Sequence, residues 1–244
     1  TPRMFRLVEH EALINRLGFN NGGVEAALKR LQTRDVKVPV GVNIGKNAVT
    51  PIERAVDDYL IALRAVYATA DYITVNISSP NTKNLRDLQA PDSVAALVAT
   101  LAREGKHLAR LHGRTRPIAV KIAPDIADEL IADVVNAIID AGADAIISSN
   151  TTISRESVAG HPNAKEAGGL SGAPLTKRAD AVLEAVVKAA NGRVPIIGVG
   201  GIMCVQDAQR KLDLGASLIQ IYTGLLYRGP GFVGELLRGL SKRS

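Results

Sequence analysis

Cysteine, tryptophan and long apolar runs are scarce or absent in this sequence. A single cysteine, Cys204, makes an intrachain disulfide impossible and fits a reducing compartment. With no tryptophan and 3 phenylalanines, aliphatic side chains must build the core. No apolar run approaches the roughly 18 residues that a membrane span requires, and no signal peptide is found. We therefore expect an aliphatic α/β protein without a membrane segment.

Signatures of metal, nucleotide and nucleic-acid sites are missing as well. The 4 histidines, at positions 10, 107, 112 and 161, lack metal-ligand spacing, so no metal site is predicted. There is no Ser-His-Asp set, no G-x-G-x-x-G fingerprint and no P-loop. The net charge of +6 comes without a dense basic block, which argues against nucleic acid. Solvated helix faces explain this charge, and an anionic ligand or membrane surface is the alternative.

Short apolar runs alternate with helical patterns along the whole chain. Runs of strand length occupy 38–44, 72–77, 118–122, 145–149, 195–199 and 218–222. Helical patterns occupy 22–32, 52–66, 92–111, 130–139, 176–190, 205–214 and 230–240. Asp92 and Thr176 stand where N-caps are expected, and Gly142 and Gly215 where C-caps are expected.

This alternation predicts a parallel sheet with right-handed crossovers, and its repeat length matches a (β/α)8 TIM barrel. Six strand–helix units are convincing where a barrel needs eight, and residues 1–8 could add one irregular strand. The first residue is Thr1 rather than Met. We expect a single domain over residues 1–244, truncated at its N-terminus and lacking its first two units.

Polar residues without charge follow the second strand, in the segment from Asn76 to Thr82. The carboxyl ends of strands carry the chemistry of barrels and of open α/β sheets. Two Asn, two Ser and one Thr offer donors and acceptors that suit a planar, hydrogen-bonding substrate better than a metal.

Lys121 interrupts an apolar strand, where an unpaired ammonium is costly. One interpretation places Lys121 at a sheet edge or in a salt bridge with Asp125. The other is that its ammonium faces an anionic ligand or cofactor, such as a reduced flavin. Glycines at 168–172, 198–201 and 224 fall on successive strand ends. Each could be a tight turn, but together they suggest a phosphate site.

The residues resemble class 2 dihydroorotate dehydrogenases, the quinone-linked flavoenzymes of pyrimidine synthesis, over nearly the whole chain. The resemblance rests on NRLGFNN at 15–21, NIGKN at 43–47, NISSPNT at 76–82, KIAPD at 121–125, NTT at 150–152, GGLSG at 168–172 and IGVGGI at 197–202. It implies an FMN-binding TIM barrel that oxidises dihydroorotate to orotate.

Ser79 matches the family's catalytic base, which takes the C5 proton while hydride leaves C6 for FMN. Class 1 enzymes have Cys at this place, so Ser indicates class 2. The loop from Asn81 to Gln89 resembles a lid over the substrate. The implied substrate contacts are Asn15, Arg16, Leu17, Gly18, Phe19, Asn76, Asn81, Asn150 and Thr151. The implied FMN contacts are Asn43, Asn76, Lys121 and Ser149, with Gly172, Gly201, Tyr222 and Thr223 at the phosphate end.

The resemblance also implies partners outside the barrel. Ubiquinone or menaquinone would be the electron acceptor, and N-terminal helices absent from this sequence would dock on the membrane. We expect a peripheral protein on the cytoplasmic side of the inner membrane if the source is bacterial. Two alternatives stay open: a non-catalytic fragment of such an enzyme, and a related FMN barrel acting on another pyrimidine, such as dihydrouridine in RNA.

Overall fold

The computed structural model describes residues 1–241, and strands and helices alternate through most of them. The strands are β1 (Met4–Leu7), β2 (Ala12–Asn15), β3 (Gly41–Ile44), β4 (Tyr72–Asn76), β5 (Ile118–Ile122), β6 (Ala145–Ser148), β7 (Gly169–Gly172), β8 (Ile196–Val199) and β9 (Leu218–Gln220). The helices are α1 (Gly23–Gln32), α2 (Ala55–Val66), α3 (Pro91–His112), α4 (Ile131–Asp140), α5 (Thr176–Ala190), α6 (Val205–Asp213), α7 (Thr223–Arg228) and α8 (Gly231–Leu240).

Six strands form a parallel sheet in the order β3-β4-β5-β6-β8-β9. The predicted apolar runs coincide with these strands, and the predicted helices lie between them. The sheet represents six units of a (β/α)8 barrel, which confirms the predicted fold class. Among residues 1–241, β3 and β9 do not pair with each other, so the curled sheet stays open between them.

The alternation of side chains along the strands separates two layers. Ile73, Val75, Val120 and Ile146 face the helices and pack in the large core with buried residues of α2, α3, α4 and α5. Smaller residues such as Ala119 and Ala145, with Ile147 and Val199, form a separate cluster on the inner face. Asn76 and Lys121 lie directly opposite each other in the β4–β5 register, and Lys121 pairs in turn with Ile147. The register therefore places both polar residues on the inner face, near the carboxyl ends of the strands.

A second, antiparallel sheet in the order β1-β2-β7 was not predicted. Residues 1–8 were expected to give one irregular strand, whereas β1 and β2 form a hairpin. The glycine-rich segment at 168–172 forms β7 and pairs with β2. A bridge between Thr152 and Leu170 joins this small sheet to the loop that follows β6. The small sheet thus lies over the carboxyl end of the parallel strands.

Of the four predicted helix caps, the two at C-termini are confirmed and the two at N-termini are not. Gly142 and Gly215 follow α4 and α6 with φ of +100° and +101°, the left-handed conformation that favours glycine at this position. The N-cap predictions are wrong, because α3 begins at Pro91 and α5 begins at Thr176 itself. Pro91 starts α3 without a side-chain cap, since its ring presets the helical φ.

No helix within residues 1–241 combines the length and apolar character needed to cross a membrane.

Candidate active site

The carboxyl ends of five parallel strands surround a cavity of about 350 Å³. The lining includes Asn76 at the end of β4, Lys121 of β5, and residues 149–151, 199–203 and 220–223 after β6, β8 and β9. The segment after β2 and the end of β7 contribute the remaining wall, including Phe19 and Gly172. All predicted site residues except Arg16 and Asn43 line this cavity: Asn15, Leu17, Gly18, Phe19, Asn76, Ser79, Asn81, Lys121, Ser149, Asn150, Thr151, Gly172, Gly201, Tyr222 and Thr223.

Arg16 and Asn43 lie elsewhere. The Arg16 guanidinium forms an ion pair with Glu166 at 2.6 Å and stacks 4.5 Å from the centroid of the Phe5 ring, so its charge is directed away from the cavity. Asn43 is exposed on β3, at the open edge of the sheet. It lines a neighbouring depression between α1 and α2, which meets the main cavity at Gly18 and Phe19.

Hydrogen bonds orient the amides of Asn76 and Asn150. The Ser78 hydroxyl donates to Asn76 Oδ1 at 2.9 Å and accepts from Asn150 Nδ2 at 2.9 Å. The buried Tyr59 hydroxyl donates to the Asn76 carbonyl at 2.7 Å from α2. Burial raises the pKa of Tyr59 far above its usual value, so it remains a neutral donor. The ends of β4 and β6 are therefore joined through Ser78.

Ser79 is buried, and its Oγ accepts the backbone N–H of Asn81 at 3.2 Å. Among residues 1–241 its hydroxyl donates to no acceptor. The Asn81 amide donates to the backbone carbonyl of Asn15 at 3.1 Å and thus ties this loop to the segment after β2. The Asn81 N–H would stabilise negative charge that develops on Oγ when the hydroxyl loses its proton.

Lys121 is half-buried on the inner face of β5. Its ammonium makes no hydrogen bond or ion pair with any residue from 1 to 241. Burial lowers the pKa of Lys121 from 10.5 to about 8, and no carboxylate offsets this effect. The predicted alternative, a salt bridge with Asp125, is wrong because Asp125 pairs with Arg86 at 2.6 Å. The ammonium is thus directed into the cavity without a counter-ion.

Arg86 and Asp125 are site-supporting residues that sequence reasoning missed. Arg86 donates to the Ser78 carbonyl at 3.0 Å and to the Thr151 carbonyl at 2.9 Å. Asp125 also accepts the Thr152 hydroxyl. The sequence held one signal for Arg86, which is its position in the loop that was expected to cover the substrate. Leu85 and Gln89 are buried, so both ends of residues 85–89 pack against the rest of the protein.

The glycines of the expected phosphate site have packing reasons of their own. A Cβ on Gly201 would lie 2.2 Å from Thr176 Oγ1, and one on Gly172 would lie 2.2 Å from the Glu11 carbonyl. Gly168 and Gly169 do not line the cavity and pack against Asn15 and Thr151. Close packing against neighbouring backbone and side-chain atoms therefore explains glycine here, and the glycines by themselves do not indicate a phosphate. At the same end, the buried hydroxyl of Thr223 donates to Ser171 Oγ at 2.8 Å.

Comparisons with known proteins agree on one family. A family model described as "Dihydroorotate dehydrogenase" matches residues 1–243. A protein of Chromobacterium violaceum named "Dihydroorotate dehydrogenase (quinone)" is 56% identical over 99% of this chain and 70% of its own length. A relative of the same name from Ralstonia nicotianae is 52% identical over 99% of this chain and 71% of its own length.

Solved structures give the same result. A crystal structure of the Eimeria tenella dihydroorotate dehydrogenase in complex with ferulenol superimposes with a TM-score of 0.90 and 35% identity. The match covers 98% of this chain and 69% of that one. The ligand-free enzyme from the same organism has a TM-score of 0.90 and 36% identity, covering 98% of this chain and 72% of that one.

The substitution Lys121→Met should stabilise the flavin-free protein. Because the pKa of Lys121 is about 8 when folded and 10.5 when unfolded, burying the ammonium costs about 3 kcal/mol below pH 8. This cost disappears as the pH rises from 8 to 10.5, so wild-type stability approaches that of the variant. Chemical denaturation at pH 7 and pH 10 measures both effects.

Lys46→Met is the matched control for this experiment. The buried Lys46 ammonium donates to the carbonyls of Asn47 and Thr50, so its removal should destabilise the protein. A Lys121→Met variant that is less stable than wild type at pH 7 would contradict the conclusion that the Lys121 ammonium has no stabilising partner.

The substitution Gly201→Ala should destabilise the fold by at least about 2 kcal/mol, because the new methyl group would overlap Thr176 at a φ of +71°. Gly231→Ala is the matched control, since no atom lies within 4 Å of the added Cβ and φ is outside the left-handed region. Thermal unfolding of both variants measures the difference. Equal melting temperatures would refute the packing explanation for Gly201.

Proposed function

This chain belongs to the dihydroorotate dehydrogenase family, and from this membership we propose that it oxidises dihydroorotate to orotate in pyrimidine synthesis. FMN would accept the hydride, and a quinone would be the final electron acceptor. The observation that carries the proposal is the buried Ser79 hydroxyl, which shares one cavity with the amides of Asn76, Asn81 and Asn150 and with the Lys121 ammonium, which has no partner among residues 1–241. That set combines a candidate base, a planar hydrogen-bonding surface and a cation.

The donor set of the cavity fits a flavin, the cofactor class of the family. Lys121 would face the N1 and O2 edge of the isoalloxazine, where its ammonium would favour the reduced, anionic form. Asn76 and Ser149 would contact the ring, while Gly172, Gly201, Tyr222 and Thr223 would contact the ribityl phosphate. Bound FMN would supply the acceptor for the hydride that leaves C6 of the substrate. Asn43 remains a proposed contact, although it is exposed at the sheet edge.

The substrate would be held by neutral amides. Asn76 and Asn150 are oriented by Ser78, and Asn81 is oriented by Asn15, so their donors and acceptors are preorganised. They would pair with the imide edge and the carboxylate of the pyrimidine, together with Leu17, Gly18, Phe19 and Thr151. Arg16 would act only through its backbone, because its guanidinium is held by Glu166.

Ser79 would pass its own hydroxyl proton to a bound water and take the C5 proton of dihydroorotate as hydride leaves C6, so that the C5–C6 double bond of orotate forms. A free serine hydroxyl is a poor base, and the site must assist it. The Asn81 N–H at 3.2 Å would stabilise charge on Oγ, and burial would exclude competing water. The two electrons would then reduce a quinone to a quinol, as the names of the relatives indicate for those enzymes.

Ubiquinone or menaquinone as the particular acceptor, docking on a membrane surface and a peripheral location at the inner membrane are further parts of the proposal. They follow from the resemblance to class 2 enzymes.

One observation favours a second candidate, a non-catalytic fragment of such an enzyme. Within residues 1–241 the sheet is open between β3 and β9, and the depression beside Asn43 continues from the main cavity. A chain with this opening could fail to retain FMN. The flavin content of the purified protein distinguishes the candidates: one FMN per chain supports the enzyme, and a colourless folded protein supports the fragment.

The substitution Ser79→Ala should leave FMN bound and slow flavin reduction by dihydroorotate at least about 100-fold, because the proton acceptor at C5 is removed. Anaerobic stopped-flow absorbance of the flavin measures this rate. Ser93→Ala is the matched control, since Ser93 is exposed on α3 and should change nothing. Dihydrouridine serves as the competing substrate. Flavin reduction at a near-normal rate in the Ser79→Ala variant would refute the assignment of Ser79 as the base. If dihydrouridine reduced the wild-type flavin faster than dihydroorotate does, the assignment of dihydroorotate as the substrate would be refuted.

A further inference from the structure

Arg86 connects three strand-end loops through one side chain. Its Nε donates to the Ser78 carbonyl at 3.0 Å, after β4. Its Nη2 donates to the Thr151 carbonyl at 2.9 Å, after β6, and its Nη1 pairs with Asp125 Oδ2 at 2.6 Å, after β5. Side-chain exposures of 19% for Arg86 and 20% for Asp125 show that the pair is largely shielded from solvent.

We propose that Arg86, held by Asp125, is a positioning residue for proton abstraction by Ser79. The carbonyl of Ser78 belongs to the peptide bond that leads directly into Ser79, and the carbonyl of Thr151 follows the Asn150 amide. A single guanidinium thus fixes the peptide that carries the base and the segment that carries a substrate-binding amide. Arg86 does not line the cavity, so it would act only through these neighbours.

Asp125 completes the arrangement from the third loop. It accepts the Thr152 hydroxyl and the backbone N–H of Ile153, the latter at 3.2 Å. Its carboxylate balances the charge of Arg86, so the pair adds no net charge beside the cavity. Charge-assisted bonds of this kind are stronger than neutral ones and fix direction as well as distance. The ends of β4, β5 and β6 are therefore held in one geometry.

The backbone of Arg86 is itself anchored. Leu85 is fully buried, and the Gln89 amide oxygen accepts the backbone N–H of Ala123 at 2.7 Å. Gln89 Nε2 donates to the Arg86 carbonyl at 3.4 Å. Both ends of the Arg86 side chain are thus fixed, which limits movement of Ser79. Such restriction matters because a misplacement of about 1 Å at a reacting group can cost about 100-fold in rate.

Arg178 provides a matched comparison in the same region. It donates to the carbonyls of Pro124 and Ile126, at 2.7 Å each, and pairs with Asp128 at 2.6 Å. It therefore fixes the same loop after β5 with a similar set of bonds. None of its partners lines the cavity, and none adjoins Ser79 or Asn150. Loss of Arg178 tests general anchoring of the loop without disturbing the peptide before Ser79.

The proposal rests on the proposed oxidation of dihydroorotate, and the experiment tests the two separately. The flavoprotein is prepared as wild type, Arg86→Lys, Arg86→Ala and Arg178→Lys. Anaerobic stopped flow measures flavin reduction by dihydroorotate, and a second mixing measures reoxidation by a quinone. Flavin content and melting temperature are recorded for each variant. A wild type that reduces its flavin with dihydroorotate establishes the function before any variant is compared.

We expect flavin reduction to slow about 10-fold in Arg86→Lys, because lysine cannot reproduce the fork of donors, and about 100-fold in Arg86→Ala. Reoxidation by quinone should stay within about 2-fold, and added guanidinium ion should partly restore Arg86→Ala. Arg178→Lys should reduce its flavin within about 2-fold of wild type.

Three results would overturn the positioning role. Flavin reduction within about 2-fold of wild type in both Arg86 variants would show that the contacts do not matter to the reaction. A parallel fall of both half-reactions with loss of flavin in Arg86→Lys would show a merely structural role. Equal slowing in Arg178→Lys would assign the effect to the loop in general. A wild type that does not reduce its flavin refutes the proposed function instead, and the role of Arg86 with it.

Discussion

The parallel register of β4, β5 and β6 is the constraint on which the site depends. It places Asn76 opposite Lys121 on the inner face, where the strands give way to the loops that carry Ser79 and Asn150. A shift by one residue in β5 would turn Lys121 toward the helices and leave its ammonium in the apolar core. The large core of Val75, Val120 and Ile146 opposes such a shift, since it requires the same register.

Among residues 1–241, the cavity combines neutral hydrogen-bonding groups with the unpaired Lys121 ammonium, and the other charged side chains near it lie behind the lining. Arg86, Arg155 and Arg178 bind backbone carbonyls behind the lining, and Asp125 and Asp128 neutralise two of them. This arrangement leaves the Lys121 ammonium as the dominant charge that a bound group would meet. A flavin whose reduced form is anionic would fit that field, and the proposed base Ser79 would operate beside it without a competing carboxylate.

The fold was largely predictable because strand and helix periodicity are local properties of the sequence. The strands that were not predicted are β2 and β7. They pair residues far apart in the sequence, such as Leu13 and Ser171. In addition, β7 is glycine-rich and lacks the β-branched residues typical of a strand. The cavity lining was predictable from motifs, but side-chain direction was not. Arg16 turns to Glu166 and Asn43 to solvent, and Arg86 binds carbonyls whose proximity no spacing reveals.

A crystal structure of the protein with FMN and orotate bound would test most directly whether this cavity is the active site. We expect a pyrimidine whose C5 lies about 3–3.5 Å from Ser79 Oγ, stacked on a flavin whose N1 edge faces Lys121. A flavin in the depression between α1 and α2, or a pyrimidine whose C5 lies beyond reach of Ser79, would contradict the assignment of this cavity as the active site.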